Sequence, residues 1–370
     1  MSVKYHVNPY VAGIREYKLA SHAIWSKDER DTVLKIDWNE STISPSPRVV
    51  ERIKELAARG DFFNLYPATE NEEIIKRLAD YVDLPQEYVQ YFASSDALQE
   101  YMCRTFLDFH SRILILSPSY DNFRLTAESC GSEIIYSDLD DEFTLNRHLF
   151  EQDIQNYNPD LVYICNPNNP TGLQIGEDYI EYLLETYSRS MFVVDEAYWE
   201  FSGITVKELT RDYQNLLICR TFSKAFGLAN FRIGYLISNP YNVSLINKIR
   251  NPKNISTFAQ EAAIAALDDL DYMWEYVKEV KLARERVVSE LRDINIGKAY
   301  DSQGNFVIVK FASSELKERV YGLLKSKGIY IRELTQRPSV LNCLRISVGT
   351  RKQMTGVLEV LRTMDSEEAL

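Results

Sequence analysis

Several short segments of this chain combine residues that could handle a carbonyl, an amine and an anion. Arg220-Thr221-Phe222-Ser223-Lys224-Ala225-Phe226-Gly227 places a lysine among hydroxyls and aromatics, directly after the apolar run Leu216–Cys219. A lysine partly withdrawn from water holds its proton less tightly and becomes a nucleophile able to form an imine. Arg232 follows just ahead of another apolar run, where a guanidinium can grip a phosphate with two parallel hydrogen bonds. Asp195-Glu196-Ala197-Tyr198, after Met191–Val194, sets a carboxylate and a phenol where both can face one edge of a ligand. In Asn166-Pro167-Asn168-Asn169-Pro170-Thr171-Gly172, prolines and a glycine fix the backbone and present an asparagine amide rigidly. Cys343-Leu344-Arg345-Ile346-Ser347-Val348-Gly349 carries an arginine inside an otherwise apolar strand. A charge there needs a partner, either a substrate carboxylate or a structural ion pair.

Taken one at a time, each segment has an ordinary reading: a plain turn, an N-cap aspartate with a core tyrosine, a solvated lysine, a surface arginine. Their joint placement is more specific. Ligands of open α/β sheets bind beyond the carboxyl ends of the strands, and these residues follow successive apolar runs. Pyridoxal 5′-phosphate chemistry needs a lysine for the imine, an acid that keeps the pyridine nitrogen protonated, and an anion site for the phosphate. Lys224, Asp195 and the surroundings of Arg232 supply all three.

The elements that must position these residues are legible as patterns. Ile113–Leu116, Glu133–Tyr136, Leu161–Cys165, Met191–Val194, Leu216–Cys219 and Ile233–Ile237 are short, nearly continuous apolar runs, as in strands covered on both faces. Their alternation with helical stretches predicts a mostly parallel α/β sheet. Residues 257–293 read as one long helical pattern without proline or glycine. Strands at Asn305–Phe311, Ile329–Arg332 and Cys343–Val348, with helices at Ser314–Ser326 and Lys352–Thr363, complete a smaller α+β unit. The expected division is an N-terminal arm over residues 1–45 that packs with the small domain, a large α/β domain over 46–255, and the small α+β domain over 256–370.

The 370 residues are 45% hydrophobic, enough for one large core or two unequal domains. A net charge of −12 argues against nucleic acid or an anionic membrane as partner. No run approaches the roughly 18 apolar residues of a membrane-spanning helix. The N-terminal stretch MSVKYHVNPYVAGIREYKLA has no apolar signal core, so the expected location is cytoplasmic. Cys103, Cys130, Cys165, Cys219 and Cys343 are widely spaced and fit buried free thiols. The histidines are scattered, so no metal site is expected.

Over nearly its whole length, the chain resembles fold-type-I pyridoxal phosphate enzymes, specifically class I/II aminotransferases of the histidinol-phosphate aminotransferase group. The resemblance rests on Asn168-Asn169-Pro170-Thr171-Gly172, Asp195-Glu196-Ala197-Tyr198, Thr221-Phe222-Ser223-Lys224-Ala225-Phe226, Arg232 and Leu344-Arg345-Ile346-Ser347-Val348-Gly349-Thr350. It implies that Lys224 carries the cofactor as a Schiff base and later moves the proton, and that Asp195 pairs with the ring nitrogen. Asn169 and Tyr198 would bind the ring 3-oxygen, and Tyr120 would stack on the ring. The amides of Ser95 and Asp96, with Thr221, Ser223 and Arg232, would hold the phosphate. Tyr66 resembles the tyrosine that reaches the phosphate of a neighbouring subunit, which implies a homodimer with shared sites. Arg345 resembles the arginine that holds the α-carboxylate, and Arg332 the one near the distal anion of the substrate. Tyr10 and Asn39 fall where the N-terminal arm of the family closes over the substrate.

The implied activity moves an amino group between an amino acid, glutamate, and a small phosphorylated oxo compound. Alternatives are a three-carbon ketone phosphate such as dihydroxyacetone phosphate as acceptor, or a decarboxylase of a phosphorylated amino acid on the same scaffold. A binding module without cofactor would not need Lys224 or Asp195. The chain departs from the family at Asn39-Glu40-Ser41-Thr42, where Asn-Glu-Asn-Pro is usual, and at Ser94-Ser95-Asp96-Ala97, where Gly-Ser-Asp-Glu is usual. The arm between Gly13 and Lys35 is longer. These departures spare the cofactor-handling residues and fall at or near substrate contacts.

Overall fold

The computed structural model describes residues 7–14, 33–294, 296–335 and 337–368. From the N-terminus these form α1 (Pro9–Ala12), β1 (Leu34–Ile36), α2 (Pro47–Arg59), α3 (Glu72–Val82), β2 (Val89–Phe92), α4 (Ser95–Phe106), β3 (Arg112–Ser117), α5 (Asn122–Ser129), β4 (Glu133–Asp138), α6 (Arg147–Tyr157), β5 (Leu161–Cys165), α7 (Glu177–Thr186), β6 (Met191–Asp195), α8 (Trp199–Ser202), β7 (Leu216–Thr221) and β8 (Gly234–Ser238). Then come α9 (Pro240–Asn247), α10 (Thr257–Leu267), α11 (Leu270–Asp293), β9 (Lys298–Ala299), β10 (Phe306–Lys310), α12 (Ser314–Ser326), β11 (Ile329–Glu333), β12 (Cys343–Ser347) and α13 (Arg351–Glu368).

Seven strands form one sheet in the order β2-β8-β7-β6-β5-β3-β4. The central run from β4 to β7 is parallel; β8 alone runs antiparallel to both its neighbours. Every residue of β5, β7 and β8 is buried, which is why these segments are apolar on both faces. The mostly parallel α/β sheet expected from the runs is present. Strand β2 was not among those runs: Val-Gln-Tyr-Phe is short, includes a polar residue, and lies at the sheet edge.

The smaller sheet has the order β1-β11-β12-β10-β9. Strand β1 adds parallel to β11, pairing Leu34 with Ile329 and Ile36 with Ile331, so residues just before the Asn39 segment are tied to the C-terminal strands.

The pattern over 257–293 is not one helix but two. Neither proline nor glycine ends α10; its break is set from outside. Arg77 of α3 binds the Asp268 carboxylate at 2.8 and 3.3 Å, and Arg48 of α2 donates to the Asp268 carbonyl at 2.8 Å. The Ser46 hydroxyl, which also caps α2, bonds the Asp269 carboxylate. Helix α10 packs against α2 and α3 and is buried from Ala262 to Leu267, whereas α11 buries a single stripe.

Candidate active site

The site lies at the carboxyl ends of the parallel strands, and its parts are easiest to follow from the anion end. Strand β2 stops at Phe92, Ser94 adopts φ 87°, and α4 begins at Ser95. The Ser94 hydroxyl accepts the Ala97 N–H at 3.2 Å and caps the helix. Strand β8 passes directly behind: a Cβ on Gly234 would stand 2.6 Å from the Ser95 nitrogen and 2.8 Å from the Arg220 carbonyl oxygen. Only glycine permits that approach. The result is a helix N-terminus aimed at the strand ends, a natural seat for a phosphate.

Around it, Thr221 and Ser223 join their hydroxyls at 2.9 Å, and the Ser223 N–H donates to Thr221 Oγ1 at 3.1 Å. Arg232 donates to Asp96 Oδ2 at 2.9 Å. The same carboxylate accepts the Tyr120 hydroxyl at 3.0 Å and the Asn122 amide at 3.2 Å. The Asp96 side chain thus ties Arg232, Tyr120 and Asn122 together, in addition to the backbone amide that the resemblance singles out.

Asp195 ends β6 and is buried. Its Oδ2 accepts from Gln99 and from Tyr163, each at 2.8 Å, and its Oδ1 accepts the Ala197 N–H at 3.1 Å. Burial raises its pKa to about 6, while these hydrogen bonds pull the other way. The neighbouring Glu196 points to the opposite side and pairs with Arg220 at 2.7 Å, both fully buried, with Arg220 lying over the Trp199 ring.

Lys224 donates from Nζ to the Trp38 carbonyl at 2.9 Å and lies 5.9 Å from the Tyr198 ring centre. Burial, and secondarily the Arg345 charge, lower its pKa to about 8. Near neutral pH a real fraction of this amine is therefore unprotonated and nucleophilic. The Tyr198 hydroxyl accepts the Asn39 amide at 3.1 Å and the Asn169 amide at 3.3 Å, and burial raises its pKa.

The other side of the site is built from the smaller sheet. Arg345 donates to Asn169 Oδ1 at 2.5 Å and to the Asp37 carbonyl at 2.6 Å. Arg332 on β11 stands directly opposite Arg345 on β12 in the antiparallel register, and both are nearly buried, at 8% and 7% exposure. Asn39 takes φ 56°, a conformation asparagine tolerates. Its N–H donates to Ser347 Oγ at 2.9 Å, Ser347 donates back to its Oδ1 at 2.8 Å, and Asn305 donates to its carbonyl at 3.0 Å.

Two expected site residues stand apart. Tyr10 packs edge-on against Phe109, with ring centres 5.4 Å apart, and beside Gly131. Phe109 and Gly131 precede β3 and β4, so Tyr10 lies at the amino ends of the strands, opposite Lys224. The structure does not bring it to the site of its own chain; the aromatic contact with Phe109 holds it elsewhere. Tyr66 is 81% exposed, with the Lys253 ammonium 5.2 Å from its ring centre. Sequence reading also missed Gln99, Tyr163, Asn122, Asn305 and Ser347. Tyr163, Asn305 and Ser347 fall inside segments read as strands and Asn122 lies two residues after Tyr120, whereas Gln99 had no such signal.

Residues 31–361 match the family described as aminotransferase class I and II. The chain belongs to that family. It is 42% identical over 359 residues to a dihydroxyacetone phosphate transaminase of Campylobacter jejuni, covering 96% of each chain. It is 32% identical to a histidinol-phosphate aminotransferase of Ruminiclostridium cellulolyticum, covering 93% of this chain and 96% of the relative. The crystal structure of histidinol-phosphate aminotransferase from Sinorhizobium meliloti in complex with pyridoxal 5′-phosphate superposes with a TM-score of 0.85 at 27% identity, over 98% of this chain and 99% of that one. The protein is a pyridoxal phosphate-dependent aminotransferase of fold type I. Its residues fit the cofactor. A glycine-backed helix N-terminus suits the phosphate, a buried carboxylate with a raised pKa suits a ring cation, and a lysine of lowered pKa has its Nζ 5.9 Å from the Tyr198 ring centre. No helix among the described residues is long and apolar enough to cross a membrane.

Proposed function

We propose that this aminotransferase moves an amino group from glutamate to a small phosphorylated ketone, with dihydroxyacetone phosphate ahead of an imidazole-bearing ketone phosphate. The observation that carries this reading is the direct pairing of Arg332 with Arg345 across β11 and β12 on one face of the small sheet. Two arginines rooted side by side on one sheet face suit a dianion better than a single carboxylate, because each guanidinium can form parallel charged hydrogen bonds to phosphate oxygens. The names of both relatives point to phosphorylated substrates, and the more similar one is named for dihydroxyacetone phosphate. Both are transaminases, so the decarboxylase alternative loses ground.

Bound pyridoxal phosphate supplies an electrophilic carbon that takes the amino group and a ring that accepts the electrons left at the substrate carbon. The protein supplies the rest. Lys224 Nζ, easily deprotonated, is placed to take the α-proton and return it. Asp195 would keep the ring nitrogen protonated, Asn169 and Tyr198 would hold the 3-oxygen, Tyr120 would cover the ring face, and Ser95, Asp96, Thr221, Ser223 and Arg232 would hold the phosphate. Arg345 receives the donor α-carboxylate and, with Arg332, the acceptor phosphate; Asn39 orders this end.

A homodimer with shared sites is part of the same reading. Tyr66 sits beside Phe63 and Leu65, also strongly exposed, on the loop between α2 and α3. An exposed apolar loop of that kind suits burial by a second copy. Tyr10 would likewise serve away from its own site. The proposed compartment is the cytoplasm.

A panel assay tests the substrate reading: enzyme, glutamate, and either phosphorylated ketones or α-keto acids, with the aminated product identified. Dihydroxyacetone phosphate should be converted to 2-amino-3-hydroxypropyl phosphate, and Arg332→Met should raise its KM at least about tenfold. Turnover of α-keto acids alone would sink the reading.

A further inference from the structure

Helix α4 reaches both ends of the cofactor site. Its first residues, Ser95 and Asp96, stand at the phosphate seat; one turn later, Gln99 is buried and donates from Nε2 to Asp195 Oδ2 at 2.8 Å. Tyr163, fully buried on β5 and stacked on Phe123 with ring centres 4.3 Å apart, donates its hydroxyl to the same oxygen at 2.8 Å. Two neutral donors therefore converge on one oxygen of a buried carboxylate. Burial disfavours the carboxylate anion, and hydrogen bonds donated to it favour the anion.

Gln99 Nε2 also reaches the Cys219 sulfur at 4.0 Å, a weaker contact than its bond to Asp195. Burial keeps the Tyr163 phenol protonated, so its proton is available to donate to Asp195. Gln99 Oε1 is buried and has no hydrogen-bond partner among the described residues. An apolar side chain at 99 would avoid leaving that oxygen unsatisfied. Turned over, the amide would present its oxygen to Asp195 and would require a proton there. The amide orientation seen is the one that matches an ionised aspartate. The other titratable groups around Asp195 are the buried thiols Cys165 and Cys219, with Tyr198 and Asp96. None of them donates a hydrogen bond to it.

We propose that Gln99 and Tyr163 are positioning residues that hold Asp195 ionised against its burial and so determine how fully the ring nitrogen of the bound cofactor keeps its proton. This rests on the pairing of Asp195 with that nitrogen. Gln99→Leu and Tyr163→Phe each remove one donor with little change of volume. The test uses holoenzyme reconstituted with cofactor labelled at the ring nitrogen. Its readouts are the NMR shift of that nitrogen against pH, the cofactor dissociation constant, and the rate of the half-reaction with glutamate.

In each variant the ring nitrogen should lose its proton at a pH lower by about one unit, equivalent to tenfold. The half-reaction should slow about tenfold, with the KM for glutamate changed less than about threefold. The double variant should exceed either single one. If Gln99→Leu fails to fold, Tyr163→Phe, which deletes a single oxygen, carries the test alone. An unchanged ring-nitrogen titration in a folded variant overturns the proposal. Asp195→Asn separates the two levels: if it too leaves the ring nitrogen unchanged, the Asp195 pairing itself is at fault.

Discussion

Replacing Gly234 by alanine should damage cofactor binding from behind the site, although residue 234 is not expected to touch the cofactor. The added methyl would meet the Ser95 nitrogen at 2.6 Å, the Arg220 carbonyl oxygen at 2.8 Å and the Ser94 carbonyl carbon at 2.9 Å. All three are backbone atoms, so no side chain can rotate away. Ordinary contact begins near 3.4–3.5 Å, so the start of α4 must retreat by roughly 0.8 Å from β8. Such overpacking costs about 1–3 kcal/mol of stability. The same shift would misplace the helix amides proposed to hold the phosphate. Loss of one charge-assisted hydrogen bond there is worth about 1.5 kcal/mol, so the cofactor dissociation constant should rise by about tenfold or more. Thermal denaturation of the apoenzyme and an absorbance titration with pyridoxal phosphate measure the two effects. Gly322→Ala is the control: it lies within α12 with nothing inside 4 Å of the added Cβ, and it should leave cofactor affinity unchanged and stabilise by about 0.5–1 kcal/mol. Wild-type affinity and stability in Gly234→Ala would refute the reasoning that close backbone approach builds the phosphate seat.

Two further outcomes follow from the same geometry. Because the folded-state pKa of Lys224 is lowered to about 8, the neutral nucleophile accumulates as pH rises through 8. The rate of imine formation by apoenzyme, followed at the visible band, should climb between about pH 6 and 9 and then level off. Lys224→Ala should lack the band, and an inflection near the ordinary lysine value would contradict the burial argument. If Tyr66 serves the neighbouring subunit, Tyr66→Ala should weaken cofactor binding, and mixing it with Lys224→Ala should create hybrid dimers with one intact site. At limiting cofactor the mixture should then outperform the sum of its parents, whereas strict additivity would count against shared sites.

What the sequence determined by itself was the chemistry at the strand ends. Runs apolar on both faces mark β5, β6 and β7 because a two-sided environment leaves no room for alternation, and the residues just after them face the ligand side. Asp195 and Lys224 therefore stood out as candidates from local pattern and order, whereas Asn169 was singled out only by the family resemblance. The break at Asp268-Asp269 was not, because Arg48, Arg77 and Ser46 impose it from distant helices. Neither was the placement of Tyr10, held at the far end of the strands by Phe109.

Tertiary structure supplied the contacts of the second half of the site, whose Asn39, Arg332 and Arg345 the resemblance had named. Asn39 and Ser347 are 308 positions apart, Lys224 and Trp38 are 186 apart, and Arg332 meets Arg345 only through strand register. Gln99 reads in sequence as one more position on an amphipathic helix; its bond to Asp195 exists because α4 packs across β7 and β8 and turns that face inward. A local pattern records which way a residue points relative to its own element. Which group it meets there depends on how the elements pack, and that packing makes Asp195 a buried, hydrogen-bonded carboxylate rather than a helix cap.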